Sequence, residues 1–457
     1  MGLTGRVVRP DDPGYDAARR NYNERFDVRP ALIVFCQSVE DVRNALGFAR
    51  EQGMPLRVRG GWHSYEAFSL VEGGLVLDVS DLHAVLVSPD RRTADVGAGA
   101  QLIQLYQRLG QLGLTLPGGT CPTVGIAGLT LGGGFGLTSR RYGLTCDCLE
   151  EVELVSASGE VLVASAGQHP ELFWALRGGG GGNFGVVTRF RFRVFPLEEV
   201  AVYTAAWDFE RMGEVLAAWQ EWAPPADPRL TSVLKLYGPQ HARPGPVTST
   251  GQFVGPLEEL RRVLEPFLRR APPHQLRLER KAFLEAVNFF GGDPEPDWSV
   301  HFHGDHKKFK NTSAFAYEPL PPEALETLCA WMEKAPTGED LVQLENFGGK
   351  VADLAPRATA FFHRRAQFFL QYQAYWSDDS AAEDHLSWVR GVRDALTPYT
   401  RGAYVNYTDA DLEDWPERYY GENYPRLQEV KQQYDPEDFF RFPQSIRSPG
   451  GSMVDSR

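Results

Sequence analysis

No stretch of the 457 residues approaches the roughly 18 uninterrupted apolar positions of a membrane-spanning helix. The opening MGLTGRVVRPDDPGYD also lacks the basic-then-apolar pattern of a signal peptide, so a cytoplasmic protein without a membrane partner is expected. Five cysteines (Cys36, Cys121, Cys146, Cys148, Cys329) are too few and too scattered for a disulfide framework, and an odd number leaves at least one thiol unpaired. Lysine and arginine form nothing longer than pairs such as Arg364-Arg365, and the net charge is −13. A polyphosphate partner would meet a repulsive field, which argues against nucleic acid. The phosphate-binding pattern G-x-x-x-x-G-K-[ST] does not occur.

What is present is enough apolar residue, 42%, to fill two or three cores at this length. ALIVFCQ (31–37) reads as a strand, Ser38 to Asp41 as a capping box opening a helix, and MPLRVRG as the returning strand, a β-α-β unit that ends in RVRGGWHSYEAF. GLVLDVS (74–80) and TADVGAG (93–99) read as strands, followed by a helix around QLIQLYQRLGQLG. PGGTCPTVGIAGLTLGGGFG (117–136) has too many glycines for a regular element and must wrap closely around something. Residues 148–165 predict a hairpin, 169–177 a helix and 186–195 an alternating strand. Beyond about residue 200 glycine thins out and longer helical patterns appear at 208–223 and 323–335, which sets a boundary near 196–206.

Two motifs suggest chemistry. Gly180 to Gly185 satisfies G-x-G-x-x-G, but a dinucleotide site needs a strand before it and a helix after it, and here the order is reversed. His301-Phe-His303-Gly-Asp305-His306 resembles a metallohydrolase ligand set, with His363, Asp378 and His385 as candidates for the remaining ligands. The short WSV before it is a poor match for the strong apolar strand such a site requires, and a solvated histidine-rich loop explains it more simply.

His63 alone would more often be a packed or surface histidine. Its company changes that reading. RVRGGWHSYEAFS, GGTCPTVGIAGLTLGGGFGLTSRRYGLTCD, LRGGGGGNFGVVTRF, and AYVNYTDADLEDW with YDPEDFFRFPQSI occur in the order found in the berberine-bridge-enzyme-like flavin oxidases. The resemblance spans nearly the whole chain and implies an α+β, two-domain FAD-binding fold of the vanillyl-alcohol-oxidase type with an antiparallel-sheet substrate domain. The expected division is an FAD-binding domain over 1–200, a substrate-binding domain over 201–400, and an active-site segment over 401–457 that returns to the first domain.

The resemblance implies FAD held covalently, through His63 to the 8α carbon and Cys121 to C6 of the ring, as suits an imidazole and a soft thiolate at the edge of an electron-poor ring. Trp62 stands where the family usually has glycine. Further cofactor contacts are implied at Arg59, Gly60, Gly61, Ser64, Val124, Gly125, Gly128, Gly132, Gly133, Gly134, Gly136, Asp147 and Asn406, with Gly185 and Val187 on the adenine side. Bare glycine backbone lets N–H groups approach a pyrophosphate. In the family, a small β-branched residue three positions after the linking cysteine tends to admit dioxygen, and Val124 occupies that place.

Tyr404-Val-Asn-Tyr407 resembles the family's Y-x-N-Y motif, whose second tyrosine is the base in carbohydrate-oxidising members. A phenol titrates near 10, so Tyr407 must be shifted downward or lose its proton in concert with hydride transfer. Strand alternation in FFLQYQAYW (368–376) puts Phe369, Gln371, Gln373 and Tyr375 on one face. Gln371 replaces the catalytic glutamate of the alkaloid-cyclising member, which excludes that ring closure. Tyr65, Phe135 and Tyr404 complete the implied pocket, with Tyr65 and Gln371 at the reaction centre beside Tyr407. The expected function is FAD-dependent oxidation of an alcohol or sugar hemiacetal, with a small-molecule substrate and O2 as partners and no metal. The alternatives are a flavin dehydrogenase, a secondary-metabolite tailoring oxidase, and the metallohydrolase.

Overall fold

The computed structural model describes residues 2–241, 244–291 and 308–450. The metallohydrolase candidates His301, His303, Asp305 and His306 lie outside these residues.

The β-α-β unit forms as its pattern predicts. The Ser38 hydroxyl accepts from the Asp41 N–H and caps the helix Val39–Glu51, which buries Val42, Ala45, Leu46 and Ala49. The flanking strands Leu32–Phe35 and Leu56–Arg59 both lie parallel to Leu75–Asp78, one on each side of it. Arg6–Val8 adds an antiparallel edge and makes a four-stranded sheet among the described residues. A second sheet orders Val85–Val87, Thr93–Gly97, Val186–Arg193, Leu149–Val155 and Val161–Ser165, all antiparallel. The last two strands are the predicted hairpin.

The glycine-rich stretch does contain a regular element, contrary to its composition. Ile126–Leu131 is a six-residue helix because Ile126, Ala127, Leu129 and Leu131 give it an apolar face that sinks into the first core. The predicted helix at 208–223 forms as Met212–Trp222 after a short 3-10 turn.

The third sheet is antiparallel throughout, in the order Gln275–Ala282, Glu199–Trp207, Val247–Phe253, Leu230–Tyr237, Leu341–Asn346, Phe368–Trp376, Lys308–Ala316. Its two faces do different things, because side chains alternate along each strand. Phe368, Leu370, Tyr372 and Ala374 point into a core shared with the helices Met212–Trp222, Leu257–Arg270, Pro322–Met332 and Ala382–Leu396. Gln371, Gln373 and Tyr375 point the other way, toward the first two sheets. Residues of the C-terminal segment, among them Tyr404, Trp415, Tyr420, Phe440 and Ile446, pack into the first core with the residues of those sheets. These elements leave a large cavity between the third sheet and the loops of the first two.

Candidate active site

The cavity has a volume of about 470 Å³, within the range of small-molecule sites. Its wall includes Gly60, Gly61, His63, Ser64, Tyr65, Cys121, Val124, Gly125, Gly128, Phe135, Gly136, Gly185 and Val187 from the part of the chain before residue 200. Gln371, Gln373 and Tyr375 come from the substrate sheet, and Tyr404, Asn406 and Tyr407 from the C-terminal segment. Residues 300 or more apart in sequence thus share one space.

At one end, Thr123 Oγ1 lies 2.9 Å from His63 Nε2 and 3.6 Å from Cys121 Sγ, so a single buried hydroxyl touches both. Tyr22 stacks on the His63 ring at 4.0 Å and 22°. Burial pushes the His63 pKa down to about 3, so the imidazole is neutral, with a nitrogen lone pair, at physiological pH. Burial pushes the Cys121 thiol up, opposed by hydrogen bonds from the Thr123 hydroxyl and the Thr123 and Val124 N–H groups.

Trp62 takes the backbone conformation that a glycine would adopt without cost, with φ +64°. Its indole N–H donates to Asp78 Oδ2 at 2.8 Å, the Arg59 guanidinium lies 4.0 Å over the ring, and its carbonyl accepts from the Tyr22 N–H. The tryptophan is therefore accommodated at a backbone position that suits glycine. Gly61 and Gly125 cross in backbone contact: a Cβ on Gly61 would fall 2.2 Å from the Gly125 nitrogen.

Six expected contacts do not line the cavity. Arg59 is fully buried on Asp78 (2.5 Å) and donates to the Ala18 carbonyl, so its charge is used inside the scaffold. Asp147 receives a two-pronged contact from Arg364 at 2.7 and 2.9 Å. Gly132, Gly133 and Gly134 let the C-terminal segment pack: a Cβ on Gly132 would meet Asn406 at 2.1 Å, one on Gly133 would meet Phe361 at 2.8 Å, and the Gly134 N–H donates to Tyr404 Oη at 2.9 Å. Phe369 stands behind the wall, edge-on to Phe135 at 5.3 Å and 6.1 Å from the Tyr407 ring.

At the other end, the Tyr65 and Tyr407 rings are parallel within 7° at 5.7 Å, and Gln371 Nε2 donates to Tyr65 Oη at 3.2 Å. The Tyr375 hydroxyl donates to Gln373 Oε1 at 2.7 Å. Tyr404 Oη accepts from both the Gly134 N–H and Asn406 Nδ2, which leaves it a structural role within the wall. Among the wall residues not foreseen from sequence are Gln343 and Glu345. Gln343 Nε2 donates to Glu345 Oε1 at 2.6 Å. Burial raises the Glu345 carboxyl to about 7 against the opposing pull of Gln343 and Lys235. Burial, then the charge of Glu345, pushes the Tyr407 phenol well above 10, which goes against a lowered phenol and leaves the other alternative, proton loss in concert with hydride transfer. The signal that would have found the glutamate is period-two polarity in LVQLEN, whose Gln343 and Glu345 share a face between leucines.

The donor set suits FAD. The glycines Gly128, Gly181 and Gly182 bring bare backbone to the wall, and a Cβ on Gly128 would project into open space. Ser69 Oγ, also in the wall, is buried with no protein partner. The G-x-G-x-x-G loop thus contributes to the cavity despite its non-Rossmann order. Metal ligation finds no such support: His363 bonds Tyr317 and the Arg418 carbonyl, His385 bonds Asp340, and no group of three possible ligands occurs among the described residues.

Residues 30–165 match the FAD binding domain family, and residues 403–447 match the family Berberine and berberine like. The FAD-linked oxidoreductase YgaK of Bacillus subtilis is 42% identical over 97% of both chains. The chain belongs to the berberine-bridge-enzyme-like FAD-linked oxidoreductases. Monolignol oxidoreductase AtBBE-like 13 of Arabidopsis thaliana is 32% identical over 89% of this chain and 81% of its own. Among solved structures of this family, Physcomitrella patens BBE-like 1 superposes with a TM-score of 0.90 at 30% identity, covering 98% of this chain and 97% of that one. Wild-type Phl p 4, a glucose dehydrogenase, gives 0.88 at 27%, and its isoleucine-to-valine variant, a glucose oxidase, 0.88 at 28%, each covering 97% of this chain and 96% of its own. The fold is the two-domain α+β FAD-binding type, and among the described residues no helix is long and apolar enough to cross a membrane.

Proposed function

We propose that the protein is an oxidase of alcohols or sugar hemiacetals, with FAD bonded to His63 and Cys121 and hydrogen peroxide as the second product. The observation that carries this reading is one cavity with a neutral imidazole and a thiol gathered on Thr123 at one end, and Tyr407, Glu345 and three glutamines at the other. Bound FAD would supply the hydride acceptor and return the electrons to dioxygen.

The protein's own groups handle the proton. Tyr407 cannot be a standing phenolate at neutral pH, because burial and Glu345 hold its proton on. Glu345, balanced near 7, is the group suited to accept one. The substrate hydroxyl would give its proton to the Tyr407–Glu345 side of the wall as hydride leaves its carbon. Gln343, Gln371 and Gln373 present amides able to bond neighbouring hydroxyls, which favours a polyol over a purely aromatic alcohol. Val124, in the wall beside Cys121, supports oxygen access, and in Phl p 4 an isoleucine-to-valine change accompanies the passage from dehydrogenase to oxidase.

The test is denaturation followed by peptide mass mapping. Yellow colour should stay with the polypeptide, on the peptides containing His63 and Cys121. The double variant His63→Ala/Cys121→Ala should release all of it. Complete release from the wild type would overturn the covalent reading.

A further inference from the structure

One buried cation stands outside the chemistry just described. Lys310, in the strand Lys308–Ala316, has a side chain only 1% exposed, and its Nζ meets Glu66 Oε1 at 2.7 Å, Asp409 Oδ1 at 2.5 Å and Asp411 Oδ2 at 3.3 Å. Each of these carboxylates has an arginine as well: Arg25 on Glu66 at 3.1 Å, Arg393 on Asp409 at 2.9 Å and Arg390 on Asp411 at 2.8 Å. Arg393 also meets the exposed Asp394 at 2.8 Å, so four carboxylates face three arginines and Lys310. Burying a further ammonium costs desolvation, and replacing such a group by an apolar one is often neutral or stabilising. Lys310 nevertheless stays charged: burial lowers its pKa, but Asp409 and Glu66 more than offset this and leave it raised. Neutralisation alone does not explain why the cation sits at this point.

Its connectivity is a better one. Glu66 directly follows Tyr65, Asp409 lies two residues past Tyr407, and Lys310 sits between the wall residues Phe309 and Asn311. One ammonium therefore joins the flavin-side loop, the substrate sheet and the C-terminal segment at the point where the Tyr65 and Tyr407 rings face each other. The Tyr65 side is clamped a second time. Asn23 Nδ2 donates to the Tyr65 carbonyl at 2.8 Å and to the Phe309 carbonyl at 2.9 Å, and its Oδ1 accepts from the Phe309 N–H. The 407–411 turn meets this strand at Lys310.

We propose that Lys310 is a positioning residue for the reaction, holding Tyr407 face to face with Tyr65 by gathering Glu66, Asp409 and Asp411 on the substrate sheet. This rests on the reading of Tyr407 as the substrate-facing hydroxyl. Asp409 has other holds too, its N–H donating to Tyr419 Oη and its carbonyl accepting from Gln444, so loss of the ammonium should loosen the facing of the two rings and leave both segments in place.

The experiment has one arm without substrate and one with it, both on the FAD-loaded enzyme. In protein labelled with 3-fluorotyrosine, the Tyr407 signal is assigned by its disappearance in Tyr407→Phe. In Lys310→Met it should shift or double, while the signal of Tyr203, whose hydroxyl bonds Ser232 and Ser249 in the other core, stays in place. In the second arm, anaerobic flavin bleaching is followed with glucose and with coniferyl alcohol. Lys310→Met should slow bleaching at saturation by about tenfold with little change in half-saturation, and should cost nothing further in the Tyr407→Phe background. An unmoved Tyr407 signal, or an equal loss in both backgrounds, would overturn the proposal. If Lys310→Met does not fold, the isosteric Asp409→Asn takes its place with the same outcomes. Should neither compound bleach the wild-type flavin, glucose and coniferyl alcohol are ruled out as substrates and the oxidase reading loses that support, while the fluorine signal still decides the role of Lys310.

Discussion

At one end of the cavity His63 and Cys121 come from two loops, each within a continuous run of sequence, and both touch the hydroxyl of Thr123. At the other end Glu345, Gln371 and Gln373 are alternate residues of neighbouring strands, and Tyr407 arrives from the C-terminal segment. The first end is held neutral over the ordinary pH range, its histidine pushed down and its cysteine pushed up by the same burial. The second end contains a carboxyl balanced near pH 7. The contrast fits a division of labour in which one end fixes a group and the other moves protons.

The sharpest way to break that contrast is Tyr407→Phe. It removes the hydroxyl proposed to stand on the proton path and leaves His63 and Cys121 alone. Anaerobic flavin reduction should fall about 10²–10⁴-fold, the usual weight of a positioned acid–base group, with flavin content unchanged. A reduction rate within a factor of about two of the wild type would mean that Tyr407 only packs.

Glu345→Gln comes next. With the carboxyl at about 7, wild-type reduction should climb with pH up to that point and level off above it, since the ionised form is the acceptor. In the variant the climb should vanish. Stability gives an independent reading with the opposite sign. The folded carboxyl keeps its proton up to about 7, whereas the unfolded one loses it near 4.5, so the native state binds more protons between these values and loses stability as pH rises. Glu345→Gln should therefore gain relative to wild type between pH 4 and pH 8, by about 3 kcal/mol at most, measured as the denaturation midpoint at each pH.

The two ends also differ in how far the sequence reveals them. His63, Cys121 and Val124 sit inside contiguous motifs whose order alone identifies the family, and the Phe369 to Tyr375 alternation was readable from period two. Arg59 and Asp147 lie in the same kind of neighbourhood, yet they serve the scaffold. Local sequence does not separate an arginine aimed at a cofactor from one neutralised by Asp78 nineteen positions away. Glu345 is half legible: period two puts it on one face with Gln343, but that this face lines the cavity depends on its place opposite Phe369, next to the row of Gln343 and Gln371, and that pairing exists only once the sheet is built. Gly132 to Gly134 show a third case, where glycines serve close packing of Asn406, Phe361 and Tyr404 and not the approach of a ligand.

Val124→Leu probes the His63–Cys121 end without touching either residue. Val124 shares the wall with Cys121 and packs against the first core, so added bulk there should hinder a small molecule approaching the ring. Reoxidation of the reduced enzyme by dioxygen should slow by about tenfold or more, a barrier change of about 1.4 kcal/mol, while anaerobic reduction is unaffected. Equal reoxidation rates would remove Val124 as the oxygen determinant.

Trp62→Gly should act on stability and leave activity least changed, and it separates the shape of the His63 loop from the residue that fills it. Glycine would adopt the +64° backbone freely, a relief of about 1–2 kcal/mol. Against this stand the loss of a buried indole, about 3–5 kcal/mol in a well-packed site, and of its hydrogen bond to Asp78. The net expectation is a loss of about 2 kcal/mol in unfolding free energy with the His63 linkage intact, because the positive φ, not the indole, sets the path of the loop into His63. A Trp62→Gly protein that carries flavin on Cys121 but not on His63, seen by peptide mass, would mean that the Trp62–Asp78–Arg59 packing itself aims the imidazole.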